Sequence, residues 1–167
     1  HFVISHFEAG ENSANIKIQS RTAKNDNLPC LNARIPITFM DADFNTCKRQ
    51  IIDNGTESTH SFSLPFTPIA AFLDFDEVFF DLTTDSYKKI SENGVHKFEN
   101  SYVNVVAADC QDTVLVRATL HWVGEKENKQ QHGINRFSKK HYWTIEGVNL
   151  EKANLNAKFY YQLSSLE

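Results

Sequence analysis

Apolar and polar residues change places at nearly every step along much of this chain, and a period of two marks the half-buried β-strand. Asn15 to Thr22 sets Ile16 and Ile18 against Lys17 and Gln19. Leu31 to Met40 follows with Ala33, Ile35, Ile37 and Phe39 on one side. Pro36 lies inside that run and predicts an edge strand or a bulge, because proline has no N–H to give to a ladder. Lys48 to Asp53 reads as another strand. It closes at Asp53-Asn54-Gly55-Thr56, where the Asn-Gly step supplies the positive φ of a tight hairpin turn. Thr59 to Phe66 alternates His60, Phe62 and Leu64 with Thr59, Ser61 and Ser63, until Pro65 and Pro68 end it. Ala70 to Asp81 is expected to continue as a strand carrying Phe72, Phe75, Val78, Phe79 and Phe80.

The second half repeats the style. Tyr102 to Ala107 and Thr113 to Val123 are expected strands, and Phe137 to Val148 and Asn154 to Gln162 supply two more, with Trp143, Ile145, Phe159 and Tyr161 as core. Gly124 to Gly133 is dense in Lys, Glu, Gln and Asn and reads as a solvated hairpin loop. Between the halves, Thr83 to Asn100 turns polar, with Ser91-Glu92-Asn93-Gly94 as its clearest punctuation, and Leu82 to Ser91 is the one stretch suited to a short helix. The expected architecture is all-β. An immunoglobulin-like sandwich spans about residues 1–87, a connection 88–100, and a second β unit 101–165. A content of 12% aromatic residues, 13 of them Phe, suits this reading, since flat rings pack well on a pleated surface.

Charge narrows the partners. A net charge of −4 and a pI near 6.0 argue against a dedicated nucleic-acid binder, whose affinity needs a concentrated basic face. Arg136, Lys139 and Lys140 form a local basic group of the kind a solvated strand usually carries. Cys30, Cys47 and Cys110 are an odd number, so a fully paired framework is excluded; Cys30 and Cys47 would pair only if their strands are neighbours. None belongs to a Cys-x-x-Cys arrangement, which argues against a zinc ribbon or a thioredoxin-like role. No apolar run approaches the roughly 20 residues of a membrane span, so membrane insertion is not expected. No signal-peptide pattern is present. From the start at His1 and the final Leu166-Glu167, a pair that cloning junctions leave, a fragment of a longer chain is expected.

The motifs of common catalysts are missing. There is no His-Glu-x-x-His, no Gly-x-Ser-x-Gly elbow, no Walker loop, no Gly-x-Gly-x-x-Gly and no EF-hand loop. With 6 Gly in the chain, a phosphate cradle is hard to build. No enzyme activity and no cofactor are therefore expected. Three weaker features remain. His121, His132 and His141 have metal-ligand chemistry, and a hairpin would bring His121 and His141 together, although partly buried structural imidazoles are the commoner case. Asp74, Asp76, Glu77 and Asp81 would place two carboxylates on one strand face, as Ca²⁺ or acid/base chemistry requires; such residues more often keep an edge strand soluble. Trp122, Tyr142 and Trp143 offer rings for sugar stacking, but adjacent Tyr142 and Trp143 point to opposite faces, so at most one joins a given platform.

The string Thr113-Val-Leu-Val-Arg-Ala-Thr-Leu-His-Trp-Val-Gly124, followed by Arg136-Phe-Ser and His141-Tyr-Trp-Thr-Ile-Glu-Gly147, resembles a stretch downstream of the catalytic domain in secreted Bacteroidetes proteins of the M1 aminopeptidase-like family. Phe62-Ser-Leu-Pro-Phe66 and Phe72-Leu-Asp74 resemble the sandwich strands before it. The resemblance implies an exported, bacterial, peptidase-associated β region whose partner is the catalytic domain of the parent chain. In such a family the zinc ligands and general base lie in that catalytic domain, so no catalytic or metal residue carries over to any position here.

Two functions follow as expectations. The first is a non-catalytic accessory segment that buttresses or displays a peptidase domain. The second is a carbohydrate- or ligand-binding module that uses Trp122, Trp143, His121 and His141. An accessory segment buries both indoles; a binding module exposes a ring in a groove. An enzyme in its own right would need His121 or His141 within reach of a carboxylate in a pocket.

Overall fold

The computed structural model describes residues 2–20, 32–53, 55–78, 83–123 and 140–161. These residues are all-β, with one short 3-10 turn at Leu150–Lys152, and they divide into two compact units, His1–Asp81 and Leu82–Glu167. Four antiparallel sheets of three strands make up the two units.

Unit 1 begins with β1 (Phe2–Gly10), β2 (Ser13–Ser20) and β5 (Glu57–Ser63), which form a sheet in the order β1-β2-β5. β3 (Ala33–Met40), β4 (Thr46–Asp53) and β6 (Ala70–Leu73) form the second, in the order β4-β3-β6. Both sheets turn their apolar residues to one shared core. Ala14, Ile16 and Ile18 come from the first; Ala33, Ile35, Ile37, Phe39, Cys47 and Ile51 come from the second. Each fully buried aliphatic side chain contributes roughly 1.5–3 kcal/mol, so this cluster is what holds the unit together.

Several expectations are corrected here. β1 does not alternate legibly, because its register shifts between Ile4 and His6 and Ser5 becomes the extra residue of a bulge. Its inward residues are therefore Phe2, Ile4 and Phe7, at a spacing of two and then three. Pro36 does not mark an edge strand, since β3 is the middle strand of its sheet. Pairing with β6 begins only at Ile37, and the Pro36 carbonyl accepts the Asp74 N–H at 2.9 Å. In an antiparallel ladder the N and C=O of one residue face the same neighbour, so the missing donor costs β4 nothing. The Asn-Gly step closes no hairpin. β4 pairs with β3 and β5 with β2, so the segment carries the chain from one sheet to the other; Asn54 itself is outside the described residues. The expected strand 70–81 ends at Leu73, and a turn follows.

Unit 2 contains β7 (Thr83–Ile90), β10 (Val114–His121) and β11 (Tyr142–Val148) in the order β11-β10-β7. β8 (Gly94–Phe98), β9 (Val103–Ala108) and β12 (Asn154–Phe159) follow in the order β12-β9-β8. Ile90, Val114, Val116 and Ala118 meet Phe98, Val103, Val105 and Ala107 in a second core. All eight residues of β10 are buried. The stretch 82–91, the one suited to a short helix, instead holds β7, and the expected connection 88–100 holds β8. The hydrophobic pattern of β7 is silent because one of its two buried residues is Asp85, the other being Ile90. Ser91 to Asn93 do act as punctuation, joining β7 to β8 across sheets, and Gly94 at φ 145° takes a backbone conformation that a side chain resists.

Candidate functional site

One end of unit 2 is built almost wholly of rings. Leu120 lies near the end of β10 and Trp143 near the start of β11, and the ladder sets them opposite each other. Val103 and Phe159 pair in the other sheet, so Tyr102, just before β9, meets Tyr160, just after β12, and its carbonyl accepts the Tyr160 N–H at 2.9 Å. Strand ends from both sheets thus converge around a cleft of about 400 Å³ lined by Tyr102, Leu120, Trp122, His141, Trp143, Tyr160 and Tyr161. That size lies within the range of small-molecule sites.

The rings form a connected array. Trp143 packs on the core of the unit as the floor of the cleft. The buried His141 meets it edge-on with centroids 5.0 Å apart, and Trp122 stands 6.5 Å beyond His141. Phe159 and Tyr161 flank Trp143 at 5.4 and 6.3 Å. Trp122 is 50% exposed, and Tyr102, Tyr160 and Tyr161 are exposed to a similar degree. Both indole N–H groups are already used. Trp122 Nε1 donates to Thr84 Oγ1 at 2.7 Å, and Trp143 Nε1 donates to the Ser101 carbonyl at 2.8 Å. These bonds fix the ring planes and leave the π faces as the surface on offer.

Of the four residues expected at a ligand site, Trp122, Trp143 and His141 line this cleft. His121 does not. It lies opposite Tyr142 in the ladder, stacks on that ring at 4.2 Å with planes 5° apart, and its Nε2 bonds Thr144 Oγ1 at 3.1 Å. Leu120 and Trp143 thus face the cleft while their neighbours His121 and Tyr142 face the other side of the sheet. Sequence reasoning missed Tyr102 and Tyr160, and it expected Phe159 and Tyr161 in the core, whereas both are exposed beside Trp143 because they lie at and beyond the end of β12. The tandem Tyr160-Tyr161 at the end of a strand was a readable signal, whereas Tyr102 enters the site only through the turn before β9.

That outer side carries a buried ion pair. Arg117, buried, is paired with the buried Asp85 and reaches Glu146 Oε1 at 3.4 Å. Desolvation pushes the Glu146 carboxyl above its usual value; Arg117 opposes the shift and Asp85 adds to it. Glu146 keeps a solvent-reachable edge, its side chain being 44% exposed, yet its carboxyl is closely surrounded by protein.

The other candidates dissolve into structure. Asp74, Asp76 and Glu77 do not share a strand face, because they occupy the turn after β6. There Asp74 Oδ1 accepts the Val78 N–H at 2.9 Å, and Asp76 pairs with Lys48 at 2.7 Å. Asp81 lies outside the described residues. Asp53, Ser58 and His60 form a hydrogen-bonded chain with Ser58 Oγ donating to Asp53 at 2.6 Å and meeting His60 Nε2 at 2.9 Å. With the hydroxyl donating to the carboxylate, His60 supplies the second proton and takes none from Ser58, so this serine is not an activated nucleophile. Cys47 is a buried free thiol and Cys110 a partly exposed one, while Cys30 is outside the described residues. His132, Arg136 and Lys139 also lie outside them, and Lys140 is exposed. Among the described residues no group of three metal-ligating side chains comes together. No family model, curated protein or solved structure matches this chain.

Proposed function

We propose that this chain is a non-catalytic β module of a larger exported protein, and that unit 2 works by holding a ligand, carbohydrate foremost, against the faces of its cleft aromatics. The observation that carries the reading is the half-exposed Trp122 in a groove floored by Trp143. An exposed, ring-lined concavity costs an isolated domain apolar surface in water, and such patches mark interaction sites. Trp122 and Trp143 are the two tryptophans of the chain, so emission reports on the cleft alone. Acrylamide quenching is expected to resolve one accessible and one shielded indole, and a panel of glycans and peptides to shift the accessible one. A panel that moves neither indole overturns the binding reading.

The second reading is the structural accessory region of an M1 aminopeptidase-like parent, with that parent's catalytic domain as partner. It is favoured by where the resembling strings fall: residues 113–124 contain the wholly buried β10, and residues 141–147 contain most of β11. The strand orders β1-β2-β5 and β4-β3-β6 also fit the A-B-E and C′-C-F portions of an immunoglobulin-like sandwich, which supports that finer description of unit 1. Co-purification of the chain with a separately expressed peptidase domain tests it; failure of the two to associate counts against it.

A further inference from the structure

Resting on the binding reading above, we infer that the cleft selects an uncharged saccharide, with a pyranose ring stacked on Trp122 and its hydroxyls served by the tyrosines at the rim. The first argument is charge. Among the described residues the cleft lining contains no carboxylate, lysine or arginine, and its polar groups are the buried His141 imidazole, the indole N–H groups and the tyrosine hydroxyls. An anion would face the negative quadrupoles of these rings, whereas a cation can be held by ring faces alone and is the rival that the choline arm of the test separates. The second is the state of the indoles. A ligand with backbone carbonyls, such as a proline-rich peptide, gains orientation from indole donors, and both are spent on Thr84 and Ser101. A sugar needs the opposite arrangement: a flat ring held still for its C–H face, and hydroxyl groups nearby for its edge.

Tyr102 supplies the third argument. Eight non-glycine residues among those described have positive φ, and five are Asn or Asp, which tolerate it. Tyr102, at φ 54°, is a bulky residue in the left-handed region, which Asn and Asp adopt more readily. The Glu99 carbonyl accepts its N–H at 3.2 Å, and the bond from Tyr160 N–H holds its carbonyl. An asparagine would serve that turn at less cost; the tyrosine that occupies it walls the cleft with its ring. Tyr160 sits beside it, and Asn104 Nδ2 donates to its hydroxyl at 3.1 Å. That bond leaves the Tyr160 proton able to point to a ligand.

The test titrates the whole chain with cellotriose, a galacturonate trimer, choline and a proline-rich decapeptide, read by tryptophan emission and by saturation-transfer NMR. Cellotriose is expected to bind alone. Trp122→Ala is expected to weaken it about tenfold or more, Trp122→Phe to restore part of the loss, and Tyr102→Phe to weaken it roughly threefold to tenfold. Circular dichroism of each variant separates loss of binding from loss of fold. Binding of choline, the charged trimer or the peptide in place of the neutral sugar overturns this inference while leaving the binding module intact. Silence from all four probes overturns both.

Discussion

Single residues in this protein carry consequences of opposite sign. Glu146 is raised above its ordinary value, so between that value and the raised one the folded state holds a proton the unfolded state has released. Stability from this group is therefore present at acid pH and lost as pH rises through the raised value. Glu146→Gln is expected to melt higher than the parent at neutral pH, with the difference vanishing as pH falls below the normal glutamate range; melts at several pH values check this. Asp41 is the reverse case. Its burial raises the carboxyl, but hydrogen bonds from the Asn45 side chain and from the Asn45 and Asp43 backbone outweigh it and leave it lowered. Its contribution is lost as pH drops through the lowered value. Asp85 is a third kind of residue, a buried charge whose partner Arg117 is buried too. Asp85→Ala removes the buried partner of that guanidinium, leaving the longer contact to Glu146, and is expected to cost about 3–5 kcal/mol in denaturant unfolding. None of this was legible beforehand, because Asp85 occupies a position where an alternating pattern leads one to look for an apolar residue.

At the scale of strands, alternation was readable wherever one face meets a core and the other meets water, as in β2, β3 and β9. It failed for identifiable reasons. A bulge shifts the inward positions of β1, and β7 buries an aspartate. Turn chemistry misled in a different way: Asn-Gly announces a reversal but not whether the next strand returns to the same sheet. The cleft was half legible, since Trp122, His141 and Trp143 lie in or beside strands that the sequence reveals, whereas Tyr102 is delivered by a turn. Gly147 shows a glycine whose reason lies across the ladder. A Cβ there would run into the Leu115 backbone and come within 2.8 Å of Leu150 Cδ2. Gly147→Ala is accordingly expected to destabilise unit 2 by about 3 kcal/mol, measured by chemical denaturation.

Taken whole, the molecule is two units, each with its own buried cluster, and the cleft draws all its residues from the second. Thiol labelling followed by peptide mapping gives each unit a reporter: Cys110 is expected to react in the native protein, and Cys47 only after unit 1 opens. β10 adds a consequence in time. A strand with every residue buried and ladders on both sides releases its amide hydrogens only when unit 2 opens as a body, so Val116 to Leu120 should be among the last to exchange in deuterated solvent. Trp122 comes one residue after that strand ends, half in water. Within a few residues the chain thus passes from its slowest-exchanging segment to the ring it presents outward. A platform anchored next to so immobile a strand meets its ligand already in place, with little freedom left to lose on contact.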